Sequence, residues 1–175
     1  MRRSKKPGAL SSRQQRAIGG VALHTANRLL FRELMLAHMI DHYEYVSVAD
    51  APVFFDRGIP GLIGYCRLIG VPVPDHIRNA ARTYRYSDLV FGTPPWKEVY
   101  AQDEERHQDF AEAVATYEAV FAGYLEAGYQ LVEIPKADVA ERVEFVLTCV
   151  GSLSDTKNST RALAKVGEPD ETLPT

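Results

Sequence analysis

The chain has 175 residues, 46% of them hydrophobic, which is enough for one domain with a core of its own. Its formal net charge of −3 gives no overall case for nucleic-acid binding, and no apolar run approaches the roughly 20 residues that cross a bilayer. The basic N-terminus has no apolar segment behind it, so we expect no signal peptide. We therefore expect a cytoplasmic protein without membrane contact, in which Cys66 and Cys149 are buried and reduced.

The N-terminal segment is strongly basic, because the first 16 residues contain six basic side chains and no acidic one. Residues 1–10 show no apolar periodicity and include Pro7 and Gly8, so we expect them to be disordered. A flexible basic segment can contact RNA or lipid headgroups, but a solvated tail is the simpler interpretation.

The pattern that follows predicts two helices and then a buried strand. A short helix over 11–18 ends at a pair of glycines, and a long helix follows its N-cap Asn27 and ends near Val46. The apolar residues of the long helix recur with the helical period. Residues 53–55, Val-Phe-Phe, form a continuous apolar run after Pro52, which is typical of a strand covered on both faces in a parallel sheet.

The rest of the chain alternates between predicted helices and strands. This order indicates an α/β fold with a parallel sheet and right-handed crossovers. Beyond residue 151 the chain is rich in Ser, Thr, Pro and charged residues, which predicts a disordered tail over 152–175 after one domain over 11–151. The predicted elements are helices over 60–69, 75–83 (capped by Asp75), 109–127 and 139–150, and strands over 88–92 and 129–134.

An acidic and a basic residue stand directly after the first predicted strand. Asp56 lies at the carboxyl end of that strand, where open α/β sheets bind ligands. In a P-loop enzyme a carboxylate at this place holds Mg²⁺, usually through water, and Arg57 beside it can bind a phosphate. The alternative is that Asp56 caps the following helix and that Arg57 is exposed to solvent.

Two other groups of residues allow a functional and a structural interpretation. His38 and His42 are four residues apart on the long helix and can share a metal ion, but no third ligand follows at a recognised spacing, so a polar helix face is the simpler interpretation. Aromatic residues interleaved with Arg82 and Arg85 can stack a nucleobase, or they can pack in the core near the sheet edge. These aromatic residues are Tyr84, Tyr86, Phe91 and Trp96.

Four blocks of the sequence occur in the order and spacing of a known family. They are VFFDRGIPGLIGYCRLIGVPVP at 53–74, YSDLVFGTPPW at 86–96, YAQDEERHQDFAEAVATYEAV at 100–120 and GYQLVEIP at 128–135. On these blocks the chain resembles the AAA-domain family of predicted P-loop ATPases related to the NadR kinase domain, which is in turn similar to thymidylate-type nucleotide kinases. The resemblance covers about residues 16–147. It implies a nucleotide-kinase-like three-layer sandwich with a parallel sheet.

The resemblance also implies roles for four residues. Asp56 matches the acidic residue of a Walker-B-like strand that holds Mg²⁺ through water, and Arg57 matches the arginine of the kinase-type DR motif. Arg106 matches a lid arginine that closes over the nucleotide phosphates, with His107 beside it as a second, pH-dependent charge. The alternative for Arg106 is a surface charge paired with neighbouring acidic residues. Complete homologues are expected to use ATP and Mg²⁺, as ATPases or as kinases with a small-molecule acceptor.

The sequence departs from this family in one respect. The P-loop pattern G-x-x-x-x-G-K-[ST] requires a Gly-Lys pair, and none of the twelve glycines is followed by lysine. The resemblance therefore implies an N-terminally truncated domain that lacks the P-loop strand and its neighbour, with about three strands remaining and a gap in the sheet. We expect impaired or absent ATP binding and marginal stability. The alternative is a non-catalytic interaction module that pairs through exposed strand edges, as a homo-oligomer or with a partner chain.

Overall fold

The computed structural model describes residues 2–3, 7–46, 53–99 and 109–166. These residues form a mixed α/β structure in two units, Met1–Val132 and Glu133–Thr175. None of the described helices is long and apolar enough to cross a membrane. In chain order the elements are β1 Arg2–Arg3, α1 Pro7–Ala17, α2 Arg28–Val46, β2 Val53–Phe54, α3 Gly61–Leu68, α4 Asp75–Thr83, β3 Leu89–Gly92, a 3₁₀ turn Lys97–Val99, α5 Phe110–Glu126, β4 Gln130–Glu133 and α6 Val139–Val166.

The strands form two separate two-stranded sheets. β1 pairs with β2 in parallel, with Arg2 opposite Val53 and Arg3 opposite Phe54, and β3 pairs with β4. The three strands expected from the sequence are confirmed. Among the described residues no strand joins β2 to β3, so the single parallel sheet expected from the sequence is divided in two.

β1 and the start of α1 lie within residues 1–10, for which the sequence analysis expects disorder. Strand pairing uses backbone N–H and C=O groups, so it does not require the apolar residues that usually indicate a strand. α1 begins at Pro7, earlier than the predicted start at residue 11. Proline is well suited to the first turn of a helix, because its missing N–H has no partner there in any case.

Side chains cap the starts of two helices, the first of them as the sequence predicts, and the start of a third helix differs from its prediction. The Oδ1 of Asn27 accepts a hydrogen bond from the N–H of Leu30 at 3.0 Å, which confirms the cap of α2. Asp109 caps α5 in a reciprocal capping box with Glu112. The predicted cap of α4 by Asp75 is wrong, because Pro74 holds the cap position and Asp75 is the first helical residue. There its charge still favours the positive end of the helix dipole.

α6 extends to Val166, although the sequence analysis ended this helix near Val150 and assigned 152–175 to a disordered tail. Glycine inside a helix costs only about 1 kcal/mol relative to alanine, so Gly151 does not end it. The hydroxyl of Ser152 donates to the carbonyl oxygen of Thr148 at 3.0 Å across this point. Residues 167–175 of the predicted tail lie outside the described residues.

Two glycines bring α3 and α5 into close contact. A Cβ atom on Gly64 would collide with the carbonyl oxygen of Ala119, and one on Gly123 would lie 2.6 Å from the carbonyl oxygen of Pro60. This contact fixes the start of α3, which directly follows the chain segment of the candidate site.

The buried core of the first unit comprises Phe31, Met35, Leu36, Met39, Ile59, Leu62, Ile63, Cys66, Ile77, Ala80 and Ala81. Burial of cysteine is thus confirmed for Cys66, whereas Cys149 is half-buried.

Candidate functional site

Asp56, Arg57 and Gly58 form a turn directly after β2. Asp56 is half-buried, Arg57 is exposed and Gly58 is buried. Arg57 has a φ of 69°, in the left-handed region that residues with a side chain rarely adopt, at a cost of roughly 1–3 kcal/mol. The cap position of α3 is Pro60 and no side chain caps that helix, so Asp56 does not act as its cap. The sequence analysis offered the alternative that Asp56 caps this helix and Arg57 is exposed to solvent. Of these two expectations, only the exposure of Arg57 agrees with the structure.

Tyrosine hydroxyls bind the backbone at the end of this turn. The hydroxyl of Tyr124, on α5, accepts a hydrogen bond from the N–H of Gly58 at 2.5 Å. The hydroxyl of Tyr86 accepts from the N–H of Ile59 at 3.3 Å. The N–H of Tyr86 in turn donates to the hydroxyl of Tyr129 at 3.1 Å. Tyr86, Tyr124 and Tyr129, called the tyrosine cluster below, therefore connect the turn to α5 and to the segments before β3 and β4.

The tyrosine cluster is protonated at any physiological pH. Tyr124 and Tyr129 are only 6% and 3% exposed. Burial raises the pKa of Tyr124 to about 12 and outweighs the hydrogen bond from the Gly58 N–H and the charge of Arg57, which both lower it. Burial also raises the pKa values of Tyr86 and Tyr129. Each hydroxyl can therefore accept a backbone hydrogen bond without carrying a negative charge into the interior.

Further aromatic contacts support the cluster. The ring of Tyr86 lies 4.9 Å from that of Phe55 and 5.3 Å from that of Tyr43 between centroids, and the ring of Tyr84 lies 5.5 Å from that of Tyr43. The guanidinium of Arg85 lies 4.0 Å above the ring of Tyr129, which is a cation–π geometry. Tyr84 and Tyr86 therefore pack against the core, as the structural interpretation of these aromatic residues expected.

A family model described as an AAA domain matches residues 8–142, which is most of the chain. The chain belongs to this AAA-domain family. Its members are P-loop NTPase-like proteins of the ATPase or kinase kind, and complete members use a nucleotide and Mg²⁺. No curated protein and no solved structure matches the chain.

The groups at the turn of this AAA domain fit the metal-binding part of a Mg²⁺-nucleotide site but not its phosphate cradle. A single half-buried carboxylate, Asp56, suits Mg²⁺, which keeps several waters and takes few protein ligands. A phosphate cradle needs backbone N–H groups that are free to bind the ligand. The N–H groups of Gly58 and Ile59 are already bonded to tyrosine hydroxyls, so they do not supply one.

The other predicted site residues of the AAA domain have separate outcomes. Arg106 and His107 lie outside the described residues, so their role in a lid stays a prediction.

The two histidines considered as metal ligands, His38 and His42, lie in different surroundings. The Nδ1 of His38 lies 2.9 Å from the hydroxyl of the fully buried Ser11. The Nδ1 of His42 is buried and its ring lies 5.3 Å from that of Phe55. In the described part of the chain, no group of three or more potential metal-ligating side chains occurs.

Sequence reasoning missed a second polar group, on α2. Arg32 is only 7% exposed; its Nε donates to Glu33 Oε1 at 2.9 Å, and its Nη1 lies 3.6 Å from the Sγ of Cys66. The other carboxylate oxygen of Glu33 lies 2.9 Å from the Nε2 of His76. Partial burial by itself raises the pKa of Glu33, but hydrogen bonds and charge from Arg32 and His76 outweigh it and lower the pKa.

Arg32, Glu33 and His76 are called the α2 polar group below. No local sequence pattern predicts either this group or the tyrosine cluster. Their contacts join residues that are far apart in the chain, such as Gly58 and Tyr124, which are 66 positions apart. The one available signal is the high tyrosine content, with nine in the chain, several of them in the blocks that resemble the family.

Proposed function

We propose that this AAA domain retains the metal-binding half of a P-loop phosphotransferase site without the phosphate cradle. Asp56 holds Mg²⁺ through water, and Arg57 contacts a phosphate of the nucleotide or of a small-molecule acceptor. Mg²⁺, when bound, would neutralise phosphate charge. The observation that carries the proposal is the Asp56–Gly58 turn at the carboxyl end of β2, with Arg57 held at a φ of 69° in a chain of this family.

The same proposal includes weak ATP binding by residues 1–175. A hydrogen bond to a charged group contributes about 1.5–3 kcal/mol, so losing three of them from a P-loop removes roughly 5 kcal/mol or more. That corresponds to a loss of at least about 10³ in affinity. The chain has no Gly-Lys pair to make these bonds. Binding of Mg·ATP then moves from the micromolar into the millimolar range.

The relation to the NadR kinase domain, the three-layer sandwich with a missing central strand, and the truncation of the Walker A segment are part of this proposal. So is the lid, in which Arg106 closes over the phosphates and His107 adds a charge at low pH. The divided sheet supports the missing strand, because β2 and β3 are in different sheets in the described structure.

Titration of the ¹⁵N-labelled chain with Mg·ATP into the millimolar range tests the site by NMR. We expect amide shifts at 56–58 that do not saturate, and their loss in Arg57→Ala. The matched control is Arg16→Ala, which removes another exposed arginine and should leave the shifts unchanged. Shifts that saturate at micromolar ligand, or that persist in Arg57→Ala, would contradict the proposal.

A second candidate function is an interaction module that pairs through its strand edges. β2 and β3 each pair with one strand in the described structure, and their apolar side chains are half-buried rather than fully buried. Strands of this composition normally lie in the middle of a sheet. This candidate predicts a stable homodimer or a complex with a partner chain, and sedimentation of the chain as a well-folded monomer would count against the homodimer.

A further inference from the structure

We propose that Tyr124 is a positioning residue that keeps Arg57 in its left-handed conformation and thereby directs the Arg57 side chain. That Arg57 contacts a phosphate rests on the proposed function above. That Tyr124 sets the backbone of Arg57 is a separate claim, and it depends only on the contacts of the described residues.

The first step is the geometry of the peptide bond between Arg57 and Gly58. The C=O of Arg57 and the N–H of Gly58 belong to one rigid plane, so the direction of that N–H fixes the ψ angle of Arg57. The hydroxyl of Tyr124 accepts this N–H at 2.5 Å. A rotation of Arg57 towards the right-handed region would break the bond. It would leave both a buried N–H group and a buried hydroxyl without this partner.

The second step is that Tyr124 itself is held firmly. The backbone of the preceding residue, Gly123, lies against Pro60 and Gly64 at the start of α3. Two residues after Tyr124, the carboxylate of Glu126 accepts hydrogen bonds from Arg67 of α3 and Arg78 of α4. The end of α5 is thus attached to both neighbouring helices.

The third step separates the role of Tyr124 from that of Tyr86. Tyr86 binds the next N–H, that of Ile59, at 3.3 Å, which is long for a hydrogen bond. Its ring lies beside Gly58, where a Cβ atom would come within 2.7 Å of it. Tyr86 therefore shapes the space around Gly58, whereas Tyr124 makes the short bond that orients the peptide group after Arg57.

The test compares Tyr124→Phe, which removes only the hydroxyl, with the matched control Tyr65→Phe. The hydroxyl of Tyr65 is buried and has no hydrogen-bond partner among the described residues, so its loss should not disturb the turn. We expect Tyr124→Phe to move the Gly58 amide resonance and the Arg57 backbone shifts away from their left-handed values. Unchanged resonances at both residues would overturn the proposal.

Thermodynamic coupling with Arg57→Gly provides a readout that a general packing role of Tyr124 would not give. Glycine adopts positive φ without strain, so Arg57→Gly should raise the Tm of the parent chain by roughly 2 °C. In the Tyr124→Phe background Arg57 is free to relax, so the same change should give no increase. Equal effects in the two backgrounds would contradict a positioning role.

If Tyr124→Phe does not fold, the unmodified chain still decides the matter. A strong intraresidue NOE between the amide and α protons of Arg57 and slow exchange of the Gly58 amide are expected, and absence of either would overturn the proposal.

Titrating the parent chain and Tyr124→Phe with Mg²⁺-pyrophosphate tests the proposed function separately. If the Arg57 backbone changes in the variant but pyrophosphate shifts neither protein, the positioning role stands and the phosphate site is wrong.

Discussion

At the scale of single residues, Gly58 is where the turn and the tyrosine cluster meet. Its buried N–H binds Tyr124, and the ring of Tyr86 occupies the space in which a side chain would lie. The neighbouring Arg57 has the strained conformation. Glycine, the residue with the most backbone freedom, thus permits the close approach of the ring, while the unfavourable φ falls on Arg57.

Gly58→Ala should lower the free energy of unfolding by about 1–3 kcal/mol, because the added Cβ lies within 2.7 Å of the Tyr86 ring and forces the ring or the turn to move. Urea denaturation measures this. The matched control is Gly151→Ala, which has open space around it in α6 and should be neutral or stabilising by up to about 1 kcal/mol. Equal stability of the parent chain and Gly58→Ala would show that the ring does not restrict this position.

The α2 polar group predicts a pH dependence of stability. The pKa of Glu33 is lowered in the folded state, because the bonds and charges of Arg32 and His76 outweigh the effect of burial. A lowered folded pKa stabilises the protein above the unfolded pKa, and this contribution is lost as the pH falls through the folded value. Stability should therefore fall as the pH decreases below the ordinary value of 4.5.

Denaturant titrations from about pH 6 to about pH 3 measure this dependence, a range that brackets the ordinary pKa of glutamate. In Glu33→Gln the fall in stability should be shallower than in the parent chain. Glu118→Gln, at an exposed position of α5, serves as the control and should keep the parent slope. Parallel curves for the parent chain and Glu33→Gln would contradict the assignment.

The sequence predicts Asp56 and Arg57 as a candidate site, because both are adjacent in the chain and follow an unmistakable apolar run. It does not predict the φ of Arg57 or the hydroxyl of Tyr124 beneath it. A positive φ at an arginine goes against local propensity, and only a contact with a residue far along the chain reveals how it is held.

At the scale of elements, the contact between α3 and α5 places the turn relative to the tyrosine cluster. The turn leads directly into α3, and Tyr124 lies near the end of α5. The two helices approach at Gly64 and Gly123, where backbone atoms of one helix occupy the space that a Cβ atom of the other would need.

Gly64→Ala should therefore destabilise the protein by about 3 kcal/mol, because the new Cβ collides with a backbone carbonyl that has no rotamer to relieve the clash. Gly61→Ala, on the same helix, is the matched control. Its Cβ would make only ordinary contacts, the nearest at 3.7 Å with the ring of Tyr124, so it should be tolerated. Chemical denaturation of both variants checks the pair, and similar losses would show that close approach at Gly64 is not the cause.

Most elements are predictable from local signals. Asn27 and Asp109 begin helices because their side chains cap N–H groups three residues on, and apolar runs bounded by proline or glycine give the strands. β1 is not predictable in this way. Its two arginines carry no strand signal, and the partner that supplies their backbone hydrogen bonds lies some fifty residues along the chain.

At the scale of the whole molecule, the described strands lie in two separate sheets instead of the single sheet expected from the sequence. β1 covers one edge of β2, and the aromatic side chains of Phe55 and Tyr86 are in contact between the end of β2 and the segment before β3. The N–H groups after β2 are bonded to hydroxyls instead of to a strand. These hydroxyls therefore occupy N–H groups that would otherwise be available to a phosphate.

Isothermal titration calorimetry of residues 1–175 with Mg·ATP tests the central claim most directly. The domain retains Asp56 and Arg57 but contains no Gly-Lys pair, and the N–H groups beside the turn are occupied. We predict no saturable binding at micromolar nucleotide, for the parent chain and for Asp56→Asn alike. Saturable micromolar binding of Mg·ATP by the parent chain would contradict the account.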